Sequence, residues 1–110
     1  MIKHLVISGG GPTGFLTYGA ARYLSVNNYW NIDSVSTIYG TSIGAFLGVL
    51  LSLNLSWNYL DKYFIETKWD KVLNLKPYNF IDAYSSKGII QPNFIRDSLE
   101  PLLFEKQLDI

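Results

Sequence analysis

The sequence predicts an α/β fold with a mostly parallel sheet, because a β-favouring run, a glycine turn and a helical stretch follow one another twice. The first run covers residues 3–8 and stops at three glycines, and the second covers residues 35–39 and stops at Gly40. The first run is apolar and rich in β-branched side chains, which is typical of a fully buried parallel strand. We therefore expect three layers, with helices on both faces of the sheet.

The composition is that of one folded unit. The chain has 110 residues and 48% of them are hydrophobic, so it can bury the core of about one domain. Nine Lys and Arg balance nine Asp and Glu, and the basic residues are scattered, which argues against nucleic acid as a partner. There is no cysteine for disulfides or thiolate metal sites. Since no repeat, low-complexity tract or linker interrupts the chain, we expect residues 1–110 to belong to a single domain.

The apolar stretches do not indicate export or membrane insertion. The run near the start has about four apolar residues, too few for the core of a signal peptide. The longest apolar stretch, residues 43–53, falls below the roughly 18 to 20 residues that a membrane-spanning helix needs. The sequence therefore predicts a cytoplasmic or peripheral membrane protein, with a buried core helix at residues 43–53.

The other elements follow from helical spacing and from breaker residues. A helix is predicted over residues 14–26, ending at two asparagines, where a left-handed residue is tolerated. Ser56 is the expected N-cap of an amphipathic helix over residues 57–67. Residues 93–104 return to helical spacing, and Pro101 should kink this helix or start a new turn because it lacks an amide hydrogen. In the intervening residues 68–91, breaker residues interrupt the periodicity, which predicts loops or short strands.

Residues 40–44 read Gly-Thr-Ser-Ile-Gly and match the G-x-S-x-G pattern of a nucleophile elbow, between a β-run and a helix. The serine of an elbow occupies a sharp, strained turn, and side chains at the flanking positions would collide with the neighbouring strand and helix. The helix N-terminus also favours the oxyanion that forms on attack. We predict Ser42 as the nucleophile, with Gly40 and Gly44 as motif glycines. The alternative is that Ser42 only caps the apolar helix.

Residues 9–14, Gly-Gly-Gly-Pro-Thr-Gly, form a second motif that follows a strand and opens a helix. Consecutive glycines expose backbone amides without a Cβ in the way, so a developing negative oxygen can approach closely. We predict an oxyanion hole at Gly9, Gly10 and Gly11, with the amides of Gly10 and Gly11 as donors and Gly14 as a motif glycine. The two glycine turns should lie side by side, at the carboxyl ends of adjacent strands.

This order of elements, strand, G-G-G-x-x-G, helix and then strand, G-x-S-x-G, helix, resembles the N-terminal part of the patatin-like phospholipase family. The resemblance covers essentially all of residues 1–110, with Gly88-Ile89-Ile90 as a weaker echo of the same family. It implies a hydrolase of lipid carboxylic esters, of phospholipase A or lipase type. The family's serine pairs with an aspartate of an Asp-Gly-Gly or Asp-Gly-Ala motif, without a histidine. No Asp-Gly occurs here, so the resemblance implies that the aspartate is missing and that this chain alone is inactive or nearly so.

The resemblance also implies the partners. The substrate would be a phospholipid or another acyl lipid, with peripheral membrane contact, and the chemistry requires no metal or organic cofactor. The family's loop often has Arg or Lys where this chain has Thr13, which bears on recognition of a phosphate group. One group of aromatic residues fits either a lipid-facing surface or, more commonly, a core. Its members are Trp57, Tyr59, Tyr63, Phe64 and Trp69.

Three other interpretations stay open. Residues 9–14 fit the G-x-G-x-x-G fingerprint of FAD- or NAD-binding proteins, but that fingerprint needs an acidic residue near the end of the second strand, and Asp33 precedes that strand. An α/β-hydrolase would need a histidine after the serine, whereas the single histidine, His4, precedes it and is expected at an exposed strand edge. A catalytically inactive patatin-like fragment that acts through binding is the third.

Overall fold

The computed structural model describes residues 1–69 and 92–107 of the chain. The chain divides into two compact units, Met1–Asp61 and Lys62–Ile110. Residues 70–91 lie outside the described residues, so most of the predicted loop-or-strand segment and the Gly88-Ile89-Ile90 resemblance stay predictions. In the ranges that are described, no helix is both long enough and apolar enough to cross a membrane.

The first unit contains two parallel strands, β1 (His4–Ile7) and β2 (Thr37–Gly40). The strands pair in register, with His4 opposite Thr37 and Ile7 opposite Gly40. Both predicted β-runs therefore form strands, and they pair directly with each other. Together with the helices that follow each strand, this parallel pair is consistent with the predicted α/β class.

Helix α1 (Gly14–Val26) leads from β1 towards β2, with 3₁₀ turns at Gly11–Thr13 and Ile32–Ser34 on either side of it. The helix has the predicted bounds. The left-handed residue expected after it is Asn28, with φ of 64°. Helix α1 thus ends where the sequence places a residue that tolerates this conformation.

Helix α2 (Ile43–Ser52) is the centre of packing in the first unit. Its buried residues are Gly44, Leu47, Gly48, Leu50 and Leu51. Leu47 and Leu50 are 2% and 1% exposed, and burying such a side chain contributes about 1.5 to 3 kcal/mol. Gly48 lets the helix approach β2, because an added Cβ would lie 3.0 Å from Cγ2 of Ile38. The prediction of a buried core helix here is confirmed.

The opposite face of the sheet is exposed among the described residues. Val6 and Tyr39 lie opposite each other in the register and are 80% and 59% exposed. Side chains alternate along a strand, so both residues point away from Ile38 and from helix α2. The prediction that β1 is fully buried is therefore wrong within the described residues, because α2 covers the other face.

Helix α3 (Trp57–Glu66) is held to α1 by a polar cluster. The Tyr18 hydroxyl donates to Oδ1 of Asp61 at 2.6 Å, and Nε of Arg22 donates to Oδ2 at 3.1 Å. Burial, followed by the hydrogen bond to Asp61 and the charge of Asp61, holds the pKa of Tyr18 well above its usual value. Ser56 caps the helix as predicted, since its hydroxyl oxygen accepts a hydrogen bond from the amide of Tyr59 at 3.2 Å.

In the second unit, helix α4 (Pro92–Glu105) runs through Pro101. Of the two outcomes predicted there, the start of a new turn is wrong, since one helix continues on both sides of Pro101 despite the backbone hydrogen bond that proline removes, and the kink stays a prediction. The Tyr63 hydroxyl donates to the carbonyl of Ser98 at 2.7 Å, and the ring of Tyr63 lies 5.4 Å from Phe64 and 5.7 Å from Trp69. These half-buried rings pack against one another, which favours the core interpretation of the aromatic group.

Candidate active site

The two glycine motifs meet at one edge of the sheet. Because Ile7 pairs with Gly40 in parallel strands, the segments after both strands leave the sheet at the same end. The amide of Gly9 donates to Oγ1 of Thr41 at 3.1 Å, and the amide of Thr41 donates to the carbonyl of Ile7 at 3.2 Å. The predicted side-by-side placement of the glycine turns is confirmed.

Ser42 has a strained backbone at the start of α2. Its φ of 53° and ψ of −126° lie in a region that L-residues rarely adopt, at a cost of order 1 to 3 kcal/mol. Ser42 occupies the N-cap position, but its side chain makes no capping hydrogen bond and is exposed. A capping serine normally has an extended backbone and a hydroxyl bonded to the first turn. These features argue against capping as the role of Ser42.

The glycines that flank Ser42 allow the turn to pack. An added Cβ at Gly40 would lie 2.5 Å from the carbonyl oxygen of Gly44 and 2.6 Å from the amide nitrogen of Ala45. At Gly44, it would overlap the carbonyl of Ile7 and lie 2.8 Å from that of Ser8. All of these atoms belong to backbone and cannot rotate away, so the collisions predicted from the sequence are present.

The loop of residues 9–11, which contacts Ser42 through Gly9, offers two unoccupied amides. Within the described residues, the amides of Gly10 and Gly11 donate to no acceptor, whereas that of Gly9 is bonded to Thr41. Gly11 has φ of 56°, and an added Cβ there would meet nothing within 4 Å, so conformation rather than crowding selects glycine. Of the three glycines predicted for an oxyanion hole, two therefore have free donors, and they are the two expected to donate.

Two helices begin at this site. Helix α1 starts at Gly14 and α2 starts at Ile43, and a Cβ added at Gly14 would overlap the Ile43 side chain. The first turns of the two helices are therefore in contact. A helix N-terminus carries a partial charge of roughly +0.5, and the field of two such termini favours negative charge that develops between the motifs.

The two glycine motifs, residues 9–14 and 40–44, contain no charged side chain. Between residues 5 and 60, the charged residues are Arg22 and Asp33. Asp33 lies in a 3₁₀ turn before β2, and Arg22 is paired with Asp61. An acidic residue at the carboxyl end of β2, which the dinucleotide fingerprint needs, is thus not present, since Gly40 and Thr41 occupy that end.

The first turn of α1 is apolar and exposed directly after the glycine loop. Phe15 is 47% and Leu16 is 75% exposed. Exposed aromatic and aliphatic side chains beside an uncharged loop suit contact with an acyl chain or with a lipid surface.

His4 lies at the other end of the sheet from Ser42. It is the first residue of β1, is exposed as predicted, and its Nδ1 is hydrogen-bonded to the hydroxyl of Thr37. Asp61, which bonds to Tyr18 and Arg22, is likewise engaged away from the serine. Among the residues that the structure describes, no three metal-ligating side chains come together. The described site is therefore a serine, backbone amides and helix termini.

Two threonines, for which the sequence predicted no contact, are hydrogen-bonded to the glycine loop in the structure. Thr41 accepts from the Gly9 amide at 3.1 Å, and Oγ1 of Thr13 donates to the carbonyl of Gly10 at 2.7 Å. For Thr13 the signal that could have identified the contact is its position, because threonines in turns commonly bond to nearby backbone. No local signal indicates the bond of Thr41, because Gly9 lies on a different strand-to-helix turn.

Comparison with known proteins gives one family and one relative. The family model described as "Patatin-like phospholipase" matches residues 5–110. "Uncharacterized protein R571" of Acanthamoeba polyphaga mimivirus is 25% identical over 105 residues, which are 96% of this chain and 35% of the relative. The chain thus spans about a third of the length of that relative. No solved structure gives a significant match.

Proposed function

Because the chain belongs to the patatin-like phospholipase family, we propose that residues 1–110 are the N-terminal portion of a lipid acyl hydrolase domain with Ser42 as nucleophile. The observation that carries this proposal is the strained backbone of Ser42, with φ of 53°, packed against Gly9 of a loop whose next two residues, Gly10 and Gly11, have free amides. An exposed hydroxyl on a turn with no capping bond suits attack on a substrate. The described strands would belong to a larger, mostly parallel sheet with helices on both faces.

The proposed reaction is the hydrolysis of a carboxylic ester in two steps. Oγ of Ser42 attacks the carbonyl carbon and passes its proton to an aspartate outside these 110 residues, while the carbonyl oxygen becomes an oxyanion. The amides of Gly10 and Gly11 donate to that oxyanion, aided by the N-termini of α1 and α2. The ester bond then breaks, and the alcohol leaves with the proton that the aspartate holds. In the second step the aspartate takes a proton from water, which attacks the acyl-enzyme and releases the acid, and Oγ of Ser42 regains its proton. No metal or organic cofactor takes part in this scheme.

The proposed substrate is a phospholipid or another acyl lipid. Phe15 and Leu16 support this class, because they expose apolar surface directly after the loop that would hold the reacting ester. The same residues would allow peripheral contact with a membrane, where the ester of a lipid lies near the boundary between head groups and acyl chains.

Reaction with a fluorophosphonate probe, which phosphonylates activated serines with loss of fluoride, tests the proposal. The protein to use is the product of the longest natural reading frame that contains these residues, with Ser42→Ala and, as matched control, Ser52→Ala. Ser52 is an exposed serine at the other end of α2, where its hydroxyl bonds to the carbonyl of Val49 at 2.7 Å. Labelling of the wild type and Ser52→Ala, with none of Ser42→Ala, is the expected result.

Two results would contradict the proposal. Labelling that persists in Ser42→Ala would assign the nucleophile to another residue. A folded wild type that the probe does not label would favour the alternative function, a patatin-like protein that binds lipid without hydrolysing it. The lack of an Asp-Gly pair in the 110 residues permits that alternative.

A further inference from the structure

We propose that Thr13 and Thr41 are positioning residues, whose hydroxyls hold the glycine loop so that the amides of Gly10 and Gly11 face the oxyanion. This inference rests on the proposed function. Each threonine belongs to a different motif, and neither touches the reacting atoms in the scheme above. Their effect is exerted through the backbone of the loop.

Thr13 holds the peptide between Gly10 and Gly11. The carbonyl oxygen of Gly10 accepts two hydrogen bonds from Thr13, one from Oγ1 at 2.7 Å and one from the amide at 3.2 Å. In a planar trans peptide, the carbonyl and the following N–H point in opposite directions. When Thr13 captures the carbonyl of Gly10, it therefore turns the amide of Gly11 away from the 3₁₀ turn.

Thr41 holds the start of the loop to the elbow. Its Oγ1 accepts the amide hydrogen of Gly9, while its own amide donates to the carbonyl of Ile7. Thr41 directly precedes Ser42, so one residue links the nucleophile, the end of β1 and the loop. Movement of the loop relative to the serine would break the bond between Gly9 and Thr41.

The loop needs such restraints because glycine adopts more backbone conformations than any other residue. An added Cβ at Gly11 would meet nothing within 4 Å, so that side of the residue is open. Both threonines are exposed, which means that their side chains contribute little to the core. Their hydroxyls thus add one hydrogen bond at each end of the loop to the packing of Gly9 against Ser42.

Valine and serine variants separate the hydroxyl from the rest of the side chain. Thr13→Val and Thr41→Val keep the branched shape and remove the hydroxyl, whereas Thr13→Ser and Thr41→Ser keep the hydroxyl. Thr17→Val is the matched control, since Thr17 lies on α1 one turn beyond Thr13. The measurements are kcat and KM for a soluble p-nitrophenyl ester, the rate of fluorophosphonate labelling, and hydrogen exchange of the loop, all in the longest natural reading frame.

We expect both valine variants to lower kcat and the labelling rate about tenfold or more, because losing a whole oxyanion donor lowers kcat roughly a hundredfold to a thousandfold. KM should stay within about twofold, as for an interaction that is made in the transition state. The serine variants should recover most of the rate, and Thr17→Val should match the wild type. The amide of Gly9, which donates to Oγ1 of Thr41, should exchange faster in Thr41→Val, at an unchanged thermal midpoint.

Wild-type rates and wild-type exchange in both valine variants would overturn the positioning role and leave the proposed function intact. A folded wild type without labelling or turnover would instead overturn the proposed function, and the positioning role with it. If Thr13→Val does not fold, the Thr41→Val and Thr41→Ser pair tests the loop from its other end. Equal loss in the valine and serine variants of one threonine would also contradict a role for the hydroxyl.

Discussion

Gly9 packs against Ser42 so closely that a methyl group added to Gly9 would lie 3.2 Å from Cβ of the serine. The two residues come from motifs that follow different strands, and the pairing of Ile7 with Gly40 brings them together. The contact makes the position of the predicted nucleophile depend on the glycine loop. Two experiments test this arrangement and the packing behind it, and a third tests the bond between Tyr18 and Asp61.

Gly9→Ala should lower the rate at which Ser42 reacts with the probe, while the protein stays folded. The new methyl group would also lie 3.3 Å from the carbonyl oxygen of Thr41, so the serine or the loop must shift by a few tenths of an ångström. We expect the rate of fluorophosphonate labelling to fall about tenfold or more, because catalysis is sensitive to small misplacements. Stopped labelling reactions, analysed by mass spectrometry, measure this rate.

Gly19→Ala is the matched control, because an added Cβ at this position in α1 would meet nothing within 4 Å. It should label at the wild-type rate and raise the free energy of unfolding by about 0.5 to 1 kcal/mol, since alanine favours a helix interior over glycine. Equal labelling rates in Gly9→Ala and Gly19→Ala would show that the contact with Ser42 does not position the serine.

Gly44→Ala should destabilise the protein more than Gly48→Ala does. A Cβ at Gly44 would overlap the carbonyl of Ile7, which is backbone, whereas one at Gly48 would lie 3.0 Å from a methyl group of Ile38. Overpacking typically costs about 1 to 3 kcal/mol, and alanine in a helix offsets about 0.5 to 1 kcal/mol of it, so we expect Gly44→Ala to cost about 2 kcal/mol or more and Gly48→Ala less than about 1 kcal/mol. Urea unfolding followed by circular dichroism gives both values. The reverse order would contradict the close approach of α2 to β1.

Tyr18→Phe should lower the free energy of unfolding by about 1.5 to 3 kcal/mol near neutral pH, because the buried hydroxyl donates to the Asp61 carboxylate at 2.6 Å. Tyr23→Phe, which changes a tyrosine that is 65% exposed on the same helix, should alter it by less than about 0.5 kcal/mol. Urea unfolding at pH 7 to 8 makes the comparison. Equal effects of the two substitutions would argue against the bond between Tyr18 and Asp61.

The pH dependence of Tyr18→Phe follows from the sign of its pKa shift. The pKa of Tyr18 is raised in the folded protein, so the unfolded state loses this proton first as the pH rises. The stabilisation is fully present below about pH 10, the usual tyrosine pKa, and is lost as the pH rises above it. The difference in stability between the wild type and Tyr18→Phe should therefore shrink above pH 10, and a difference that grows there would contradict the assignment.

Most of the elements, and the candidate nucleophile, could be predicted from the sequence, because local rules govern them. Helix α1 begins at Gly14 and ends at Val26 as its apolar spacing and the following asparagines predict, and Ser56 caps α3. The G-x-S-x-G spacing selected Ser42, since a strand and a helix joined by so short a turn demand glycines on both sides. These signals are carried by residues within a few positions of one another.

Other features could not be predicted, because they depend on residues that are distant in sequence. The alternating exposure of β1, with Val6 outward and Ile7 buried, follows from the side of the sheet that α2 covers. An apolar run cannot specify that side by itself. Likewise, helix α4 continues through Pro101, although the proline removes a backbone hydrogen bond. The local rule for proline therefore did not decide where this helix ends.

The sequence by itself therefore determined the order of the elements, the family resemblance and the glycine positions. The sequence also predicted Gly10 and Gly11 as the donors, whereas tertiary structure alone decided that the amide of Gly9 is taken up by the hydroxyl of Thr41. The physical reason is the register in which β1 pairs with β2. Only when Ile7 lies opposite Gly40 do the two turns come within hydrogen-bonding distance, and that pairing joins segments separated by the whole of helix α1.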